Sequence, residues 1–323
     1  MLYVTTRNNT DPCTAYRVLN SGRSPDGGFY LPFQHPKFSE EEVNALLEKP
    51  FGQCVAEVLN SLFNCHLTGW DIDFYCSRTP VHLHALDHKV LTAEAWHTPA
   101  DRFDEIAKTV TERICGESHS VSDWMEIAVR SAVWFGIFGQ LRHQGISQAD
   151  VSVVSGDFTL PISAWYARHW GLPIGTILCC CNENNALWEL LSHGQMRTDT
   201  VSIPTSVPGA DVAVPVALER LVYESGGIAQ VQHYLDACRR GLPYIPGDST
   251  WSKLRNGLYP VVVSSQRLES TIPNVFRTFG YRMNPETALA YAGAQDYRAA
   301  TGQTRPMIIW AEEKPNGNPK CSV

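Results

Sequence analysis

The sequence predicts an α/β fold: an open, mainly parallel sheet with helices on both faces, preceded by a small N-terminal region. Three observations carry this expectation. The stretch Asp150 to Asn185 reads as strand, turn, helix, strand. Apolar residues recur at helical spacing over residues 51–70 and again over 228–243. Met307 to Trp310 is one more short apolar run, separated from the first strands by helix-length segments, the arrangement that lays strands side by side in parallel.

The central stretch justifies its elements one by one. Val151 to Val154 is β-branched and apolar, hence a buried strand. Ser155-Gly156-Asp157-Phe158 is a tight turn. Pro161 suits the opening of a helix, where its missing N–H leaves no bond unmade. Ile162 to Trp170 carries apolar residues at helical spacing, and Gly171 ends that helix. Ile174 to Cys181 is a second buried strand. The turn after the first strand of such a βαβ unit is where parallel sheets hold anionic ligands.

Elsewhere the signals are local. Ala15 to Leu19 is helical, and Ser24-Pro25-Asp26-Gly27-Gly28 is a turn. Ser39 and Glu42 form a capping box before a helix. Val55, Val58, Leu59, Leu62 and Phe63 share one helical face. Residues 80–97 look like a hairpin whose alternation puts His82 and His84 on the face opposite Val81, Leu83 and Ala85. Residues 243–260 form a Pro/Gly-rich loop, and Val261-Val262-Val263 is a strand or a linker.

Composition limits the function classes. The 323 residues, 44% of them hydrophobic, suffice for one large or two modest domains. A net charge of −7 without a long basic run argues against nucleic acid as a partner. No stretch reaches the length of a membrane span, and the first residues lack the pattern of a signal peptide, so a cytoplasmic protein is expected. The 10 cysteines are scattered without a CxxC pair, which reads as reduced, mostly buried thiols.

Several motifs together resemble the threonine synthase family, enzymes of fold type II that use pyridoxal phosphate (PLP). The opening strand with Thr5-Thr6-Arg7, and Pro25-Asp26-Gly27-Gly28-Phe29-Tyr30, resemble its N-terminal domain. His97, Pro99 and Phe103 match the start of its lysine helix. His119 through Phe138 resembles a segment that normally lies far downstream of that helix. Ser155-Gly156-Asp157-Phe158-Thr159 stands at the phosphate loop, and Cys181-Asn182-Glu183-Asn184-Asn185 at the next conserved turn. Leu218-Glu219-Arg220-Leu221 and Gly280-Tyr281 with the following helix resemble later motifs. The resemblance implies residues 1–92 as an N-terminal domain and 93–323 as an α/β domain from which a segment the size of a small domain is missing.

The resemblance also implies lost chemistry. Asp104 occupies the position of the imine-forming lysine, and a carboxylate cannot form an imine. Asp157 replaces an asparagine and Thr159 a glycine in the phosphate loop, where a carboxylate repels a phosphate. Ala311-Glu312-Glu313-Lys314-Pro315 replaces the turn that meets the cofactor ring. The expectation is therefore a relative without a cofactor, binding a small polar amino-acid-like metabolite or a partner, with a lyase-like or hydrolytic reaction as an option. His97, Asp104 and Asp157 are its candidate catalytic residues. Ser155, Gly156, Phe158, Thr159, Asn182 and Asn184 are its candidate ligand contacts. Two alternatives stand beside it. Lys108, one turn after Asp104, could carry PLP. His82 and His84 could ligate a metal, although no third ligand can be named and H-x-H is a common accident. Loss of a segment exposes apolar surface, so a homodimer is expected.

Overall fold

The computed structural model describes residues 1–21, 23–76, 81–97, 100–116 and 122–312, without the side chains of 75, 76, 97 and 100–102. Three short strands open the chain: β1 (Leu2–Thr5), β2 (Cys13–Thr14) and β3 (Tyr30–Pro32) form an antiparallel sheet in the order β2-β1-β3. Helices α1 (Ala15–Ser21), α2 (Glu40–Leu47), α3 (Phe51–Phe63) and α4 (Gly69–Cys76) accompany it. Ser39 and Glu42 make the capping box expected of α2. Asn64 ends α3 in the left-handed region.

The second sheet has six strands. These are β4 (His82–Ala85), β5 (Val90–Glu94), β6 (Ala149–Val154), β7 (Ile174–Cys181), β8 (Leu258–Val262) and β9 (Met307–Ala311), in the order β4-β5-β9-β6-β7-β8. Only the β4–β5 hairpin is antiparallel; every other neighbour pair is parallel. The valines 261–262 thus belong to an edge strand. Because β5 spans residues 90–94 and pairs with β9, residue 92 falls inside the large sheet.

Among the described residues, eight α-helices complete the fold: α5 (Ala100–Cys115), α6 (Asp123–His143), α7 (Thr159–His169), α8 (Ala186–His193), α9 (Leu218–Arg240), α10 (Asp248–Leu254), α11 (Ser265–Phe279) and α12 (Pro285–Thr301). Gly227, at φ +68°, breaks α9 in two, which is why the helical periodicity in the sequence restarts at residue 228.

Strand alternation sorts the core into two layers, since successive strand side chains point to opposite faces. Ile177, Cys179, Ile308 and Trp310 join the larger cluster with α3, α6 and α7. Leu178, Cys180, Met307 and Ile309 join the smaller one with α11 and α12. Both faces of the sheet are covered, the usual condition of parallel strands. The cysteine trio is therefore core: all three thiols are fully buried, and burial pushes Cys180 up to about 12 and Cys181 up to about 11. Close approach of α12 to β7 rests on Gly293, where a Cβ would come within 2.4 Å of Cys180 Sγ. The eight cysteines Cys13, Cys54, Cys65, Cys115, Cys179, Cys180, Cys181 and Cys238 are all free.

Candidate active site

In a parallel sheet the loops that leave the carboxyl ends of the strands form the binding crevice. Here those ends place Glu94, Glu312, Ser155 and Asn182 along one edge, following β5, β9, β6 and β7.

The turn after β6 is rigid. Ser155 N–H donates to Cys180 O at 2.9 Å, and Phe158 N–H to Ser155 O at 2.8 Å. Gly156 has φ +42°, and a Cβ there would lie 2.7 Å from Gly209 O, so glycine is required both by conformation and by space. Phe158, fully buried, holds a left-handed φ of 77°. Asp157 is exposed and, one position before the N-cap Phe158, supplies an acceptor to the first residue of the helix that follows. Its carboxylate accepts from Thr159 N–H at 2.9 Å and from Thr159 O–H at 2.8 Å. The N-terminus of α7 thus carries its own anion, at the place where a helix dipole and free amides would receive a phosphate.

Beside this turn lies a charge cluster that sequence reading missed. Arg130 donates to Glu312 Oε1 at 2.7 Å, and to Glu126 Oε1 at 3.3 and 3.2 Å. Burial disfavours the Arg130 charge, but the two carboxylates outweigh it and raise its pKa. Partial burial pushes the Glu126 carboxyl up; Arg130 pulls it down, and Asp157 and Glu312 push it further up. Two carboxylates thus share one guanidinium, and the Asp157 charge bears on Glu126, so among the described residues the cluster holds more negative than positive charge. Glu126 and Arg130 stand four apart on one helix, a spacing visible in the sequence. Their distant partner, Glu312, is not.

At the other side of β5, Glu94 is buried at the strand end. It accepts from the Tyr281 hydroxyl at 2.8 Å and lies 2.9 Å from His82 Nδ1. Burial, together with Glu94, raises the Tyr281 pKa, so the phenol remains a donor. The His84 ring stacks on Tyr281, centroids 4.6 Å apart. His82 and His84 therefore serve different neighbours, and no group of three or more metal-binding side chains occurs among the described residues.

The other sequence candidates divide. Asp104 is exposed on α5, and Lys108 pairs with Glu105 rather than with Asp104. The His97 side chain, Pro99, residues 117–121 and residues 313–323 lie outside the described parts. Asn182 and Asn184 are buried, and their amides are consumed by the loop opposite. Asn182 Nδ2 donates to Asp211 Oδ1 at 2.7 Å and to Thr205 Oγ1 at 2.9 Å. Asn184 Nδ2 donates to Ile203 O at 2.9 Å, and its Oδ1 accepts from Ile203 N–H at 2.7 Å. The pair holds residues 203–211 in place.

Comparison with known proteins places this geometry. Residues 2–79 match the family profile described as threonine synthase N terminus. A threonine synthase of Pseudomonas aeruginosa is 27% identical over 200 residues, covering 58% of this chain and 42% of that protein. One from Methylobacillus glycogenes is 31% identical over 195 residues, covering 58% and 40%. The chain is similar to the threonine synthases. It matches about two fifths of the length of these curated relatives. The fold agrees: PLP-bound threonine synthase from Brucella melitensis superposes with a TM-score of 0.82 at 17% identity, over 98% of this chain and 89% of that one. The yeast threonine synthase gives 0.81 at 15% identity, over 97% and 87%.

These relatives overturn the expectation of a protein without a cofactor, because the Brucella threonine synthase on the same fold is PLP-bound. The residues of this chain nevertheless fit the group poorly at the two places described. Asp104 stands where the resemblance puts the lysine, and the Asp157 carboxylate already occupies the α7 cap.

Proposed function

We propose that this chain is a threonine-synthase-like protein of amino-acid metabolism, in the cytoplasm, whose cleft binds a small polar amino-acid-like metabolite and does not run the family's lysine-based chemistry in its usual form. The observation that carries this reading is the self-capped α7 N-terminus beside the Glu126–Arg130–Glu312 cluster. Together they present an excess of carboxylate, and a ligand bearing an ammonium group complements it. A lyase-like or hydrolytic step in that cleft belongs to the same reading, with Asp157 or Glu126 as the base. The raised Glu126 carboxyl suits proton transfer nearer neutrality than an ordinary glutamate.

The test is a thermal-shift and calorimetric screen of amino acids and phosphorylated metabolites on the wild type, Asp157→Asn and Arg130→Met. Binding of an ammonium-bearing ligand that weakens in Asp157→Asn supports the reading. PLP is screened alongside, with borohydride reduction and peptide mapping. A reduced adduct on Lys108 would instead favour a PLP-dependent lyase or synthase working through that residue. The proposal includes a homodimer, which would cover exposed apolar side chains such as Trp70, 72% exposed. A monomer in sedimentation velocity would remove that part.

A further inference from the structure

Helix α9 is two helical pieces joined at a glycine. Gly227 has φ +68° and ψ −167°, a backbone region open essentially to glycine alone. A Cβ at Gly227 would meet nothing within 4 Å, so conformation and not space calls for glycine here. The break belongs to the backbone itself, and residues 218–226 form a short rigid piece with a joint at its end.

The two pieces hold different neighbours. In the first, the Glu219 carboxylate accepts from Thr6 and Arg7. Arg220 Nε donates to Tyr30 O at 3.4 Å, and its guanidinium lies 4.4 Å from the centre of the Phe29 ring. Glu224 Oε1 is 2.9 Å from His35 Nε2. Three side chains of this piece thus grip the N-terminal region. Its start is tied to the cleft: Ala217 N–H donates to Asp157 O at 2.9 Å, in the turn after β6. Beyond the joint the partners change. Ala237 O accepts from Thr198 Oγ1 at 3.3 Å, Gln230 Oε1 accepts from the Tyr244 hydroxyl at 3.4 Å, and the His233 and Tyr244 ring centroids are 5.5 Å apart.

We propose that residues 218–226 are a lever: they couple the N-terminal sheet to the turn after β6, and Gly227 spares the rest of α9 from that motion. A helical piece moves as a unit, because its backbone bonds tie each turn to the next. A shift of the N-terminal sheet carries the piece with it, and the Ala217 bond passes the shift to Asp157. The joint absorbs it before residue 228, as hinge residues take up backbone rotation at the ends of rigid elements. The N-terminal sheet is then a place from which the geometry of the cleft is set. The lever concerns how the cleft is held, so it stands whether or not an ammonium-bearing ligand occupies that cleft.

The experiment is amide hydrogen exchange of the purified full chain, read by mass spectrometry of its peptides, for the wild type, Arg7→Ala and Thr6→Val. Gly293→Ala, which crowds Cys180 in the sheet core, is the control for a general loss of stability. The expected result is exchange about tenfold faster in both N-terminal variants over residues 2–14, 155–162 and 217–226, with 228–240 at the wild-type rate. Gly293→Ala should not reproduce this pattern. Thr6→Val removes one hydroxyl and keeps the side chain's shape, so it carries the test if Arg7→Ala folds poorly. Faster exchange confined to the N-terminal residues would overturn the proposal, because the grip would then open without moving the cleft. Equal acceleration through 228–240 would overturn the joint, and the same pattern in Gly293→Ala would leave only lost stability. No acceleration in either N-terminal variant would also overturn the lever.

Discussion

Single residues decide how this edge of the sheet behaves. Asp157 is the clearest case, because one carboxylate satisfies both the amide and the hydroxyl of Thr159 at the start of α7. Losing a helix cap of this kind costs about 1 kcal/mol. Asp157→Ala should therefore lower stability by about that amount in urea denaturation; no change would mean that the cap is idle. Asp211 makes a second prediction. Burial pushes its carboxyl up, but bonds from the Thr205 amide and hydroxyl and from Asn182 outweigh this and lower its pKa. A carboxyl depressed by folding stabilises above its unfolded value of about 4, and that contribution fades as pH falls through the folded value. The melting temperature of the wild type should thus fall more steeply below pH 4 than that of Asp211→Asn. Parallel profiles would detach Asp211 from acid stability. The role of Asp211 was hard to read in the chain because its asparagine partners lie 27 and 29 positions upstream. The bonds of the two asparagines to residues 203–211 were equally hidden, because nothing in the sequence marks which loop a strand-end amide meets.

Elements were more legible than contacts. The strand-turn-helix-strand unit of residues 149–181 follows from β-branched runs and helical spacing, and the β4–β5 hairpin from simple alternation. The cysteine trio shows why such patterns work. With both faces covered, consecutive thiols enter opposite core layers, so an unbroken apolar run marks a strand buried on both sides. The spacing between layers was not legible. It depends on Gly293, whose missing side chain lets α12 lie against Cys180. Gly293→Ala should cost about 1–3 kcal/mol, the usual range for overpacking. Cys180→Ala in the same chain should recover part of that cost, because the two changes share one contact. A double mutant that is simply additive would place the strain elsewhere.

At the scale of the whole molecule, the N-terminal sheet poses the question of what holds it. Three strands of four, two and three residues are too short for independent stability. Their anchor is Glu219 in α9, a buried carboxylate that accepts from Thr6 Oγ1 at 2.5 Å and from Arg7 Nε and Nη2 at 3.0 and 2.9 Å. These residues stand more than 200 positions apart, so neither segment alone reveals the pairing. Arg7 keeps 31% of its side chain exposed while Glu219 keeps 4%, which places the pair between the surface and buried limits. Removing the arginine leaves a buried carboxylate with one hydroxyl donor. Arg7→Ala should therefore cost roughly 2 kcal/mol. Glu219→Gln in the Arg7→Ala background should restore part of the loss, because a neutral amide is cheaper to bury than an unpaired charge. Calorimetry reads both effects. If the anchor joins the N-terminal sheet to the rest as one cooperative unit, each variant keeps a single, lowered transition. A separate early transition in Arg7→Ala would show instead that the N-terminal sheet can leave while the six-stranded sheet stays folded.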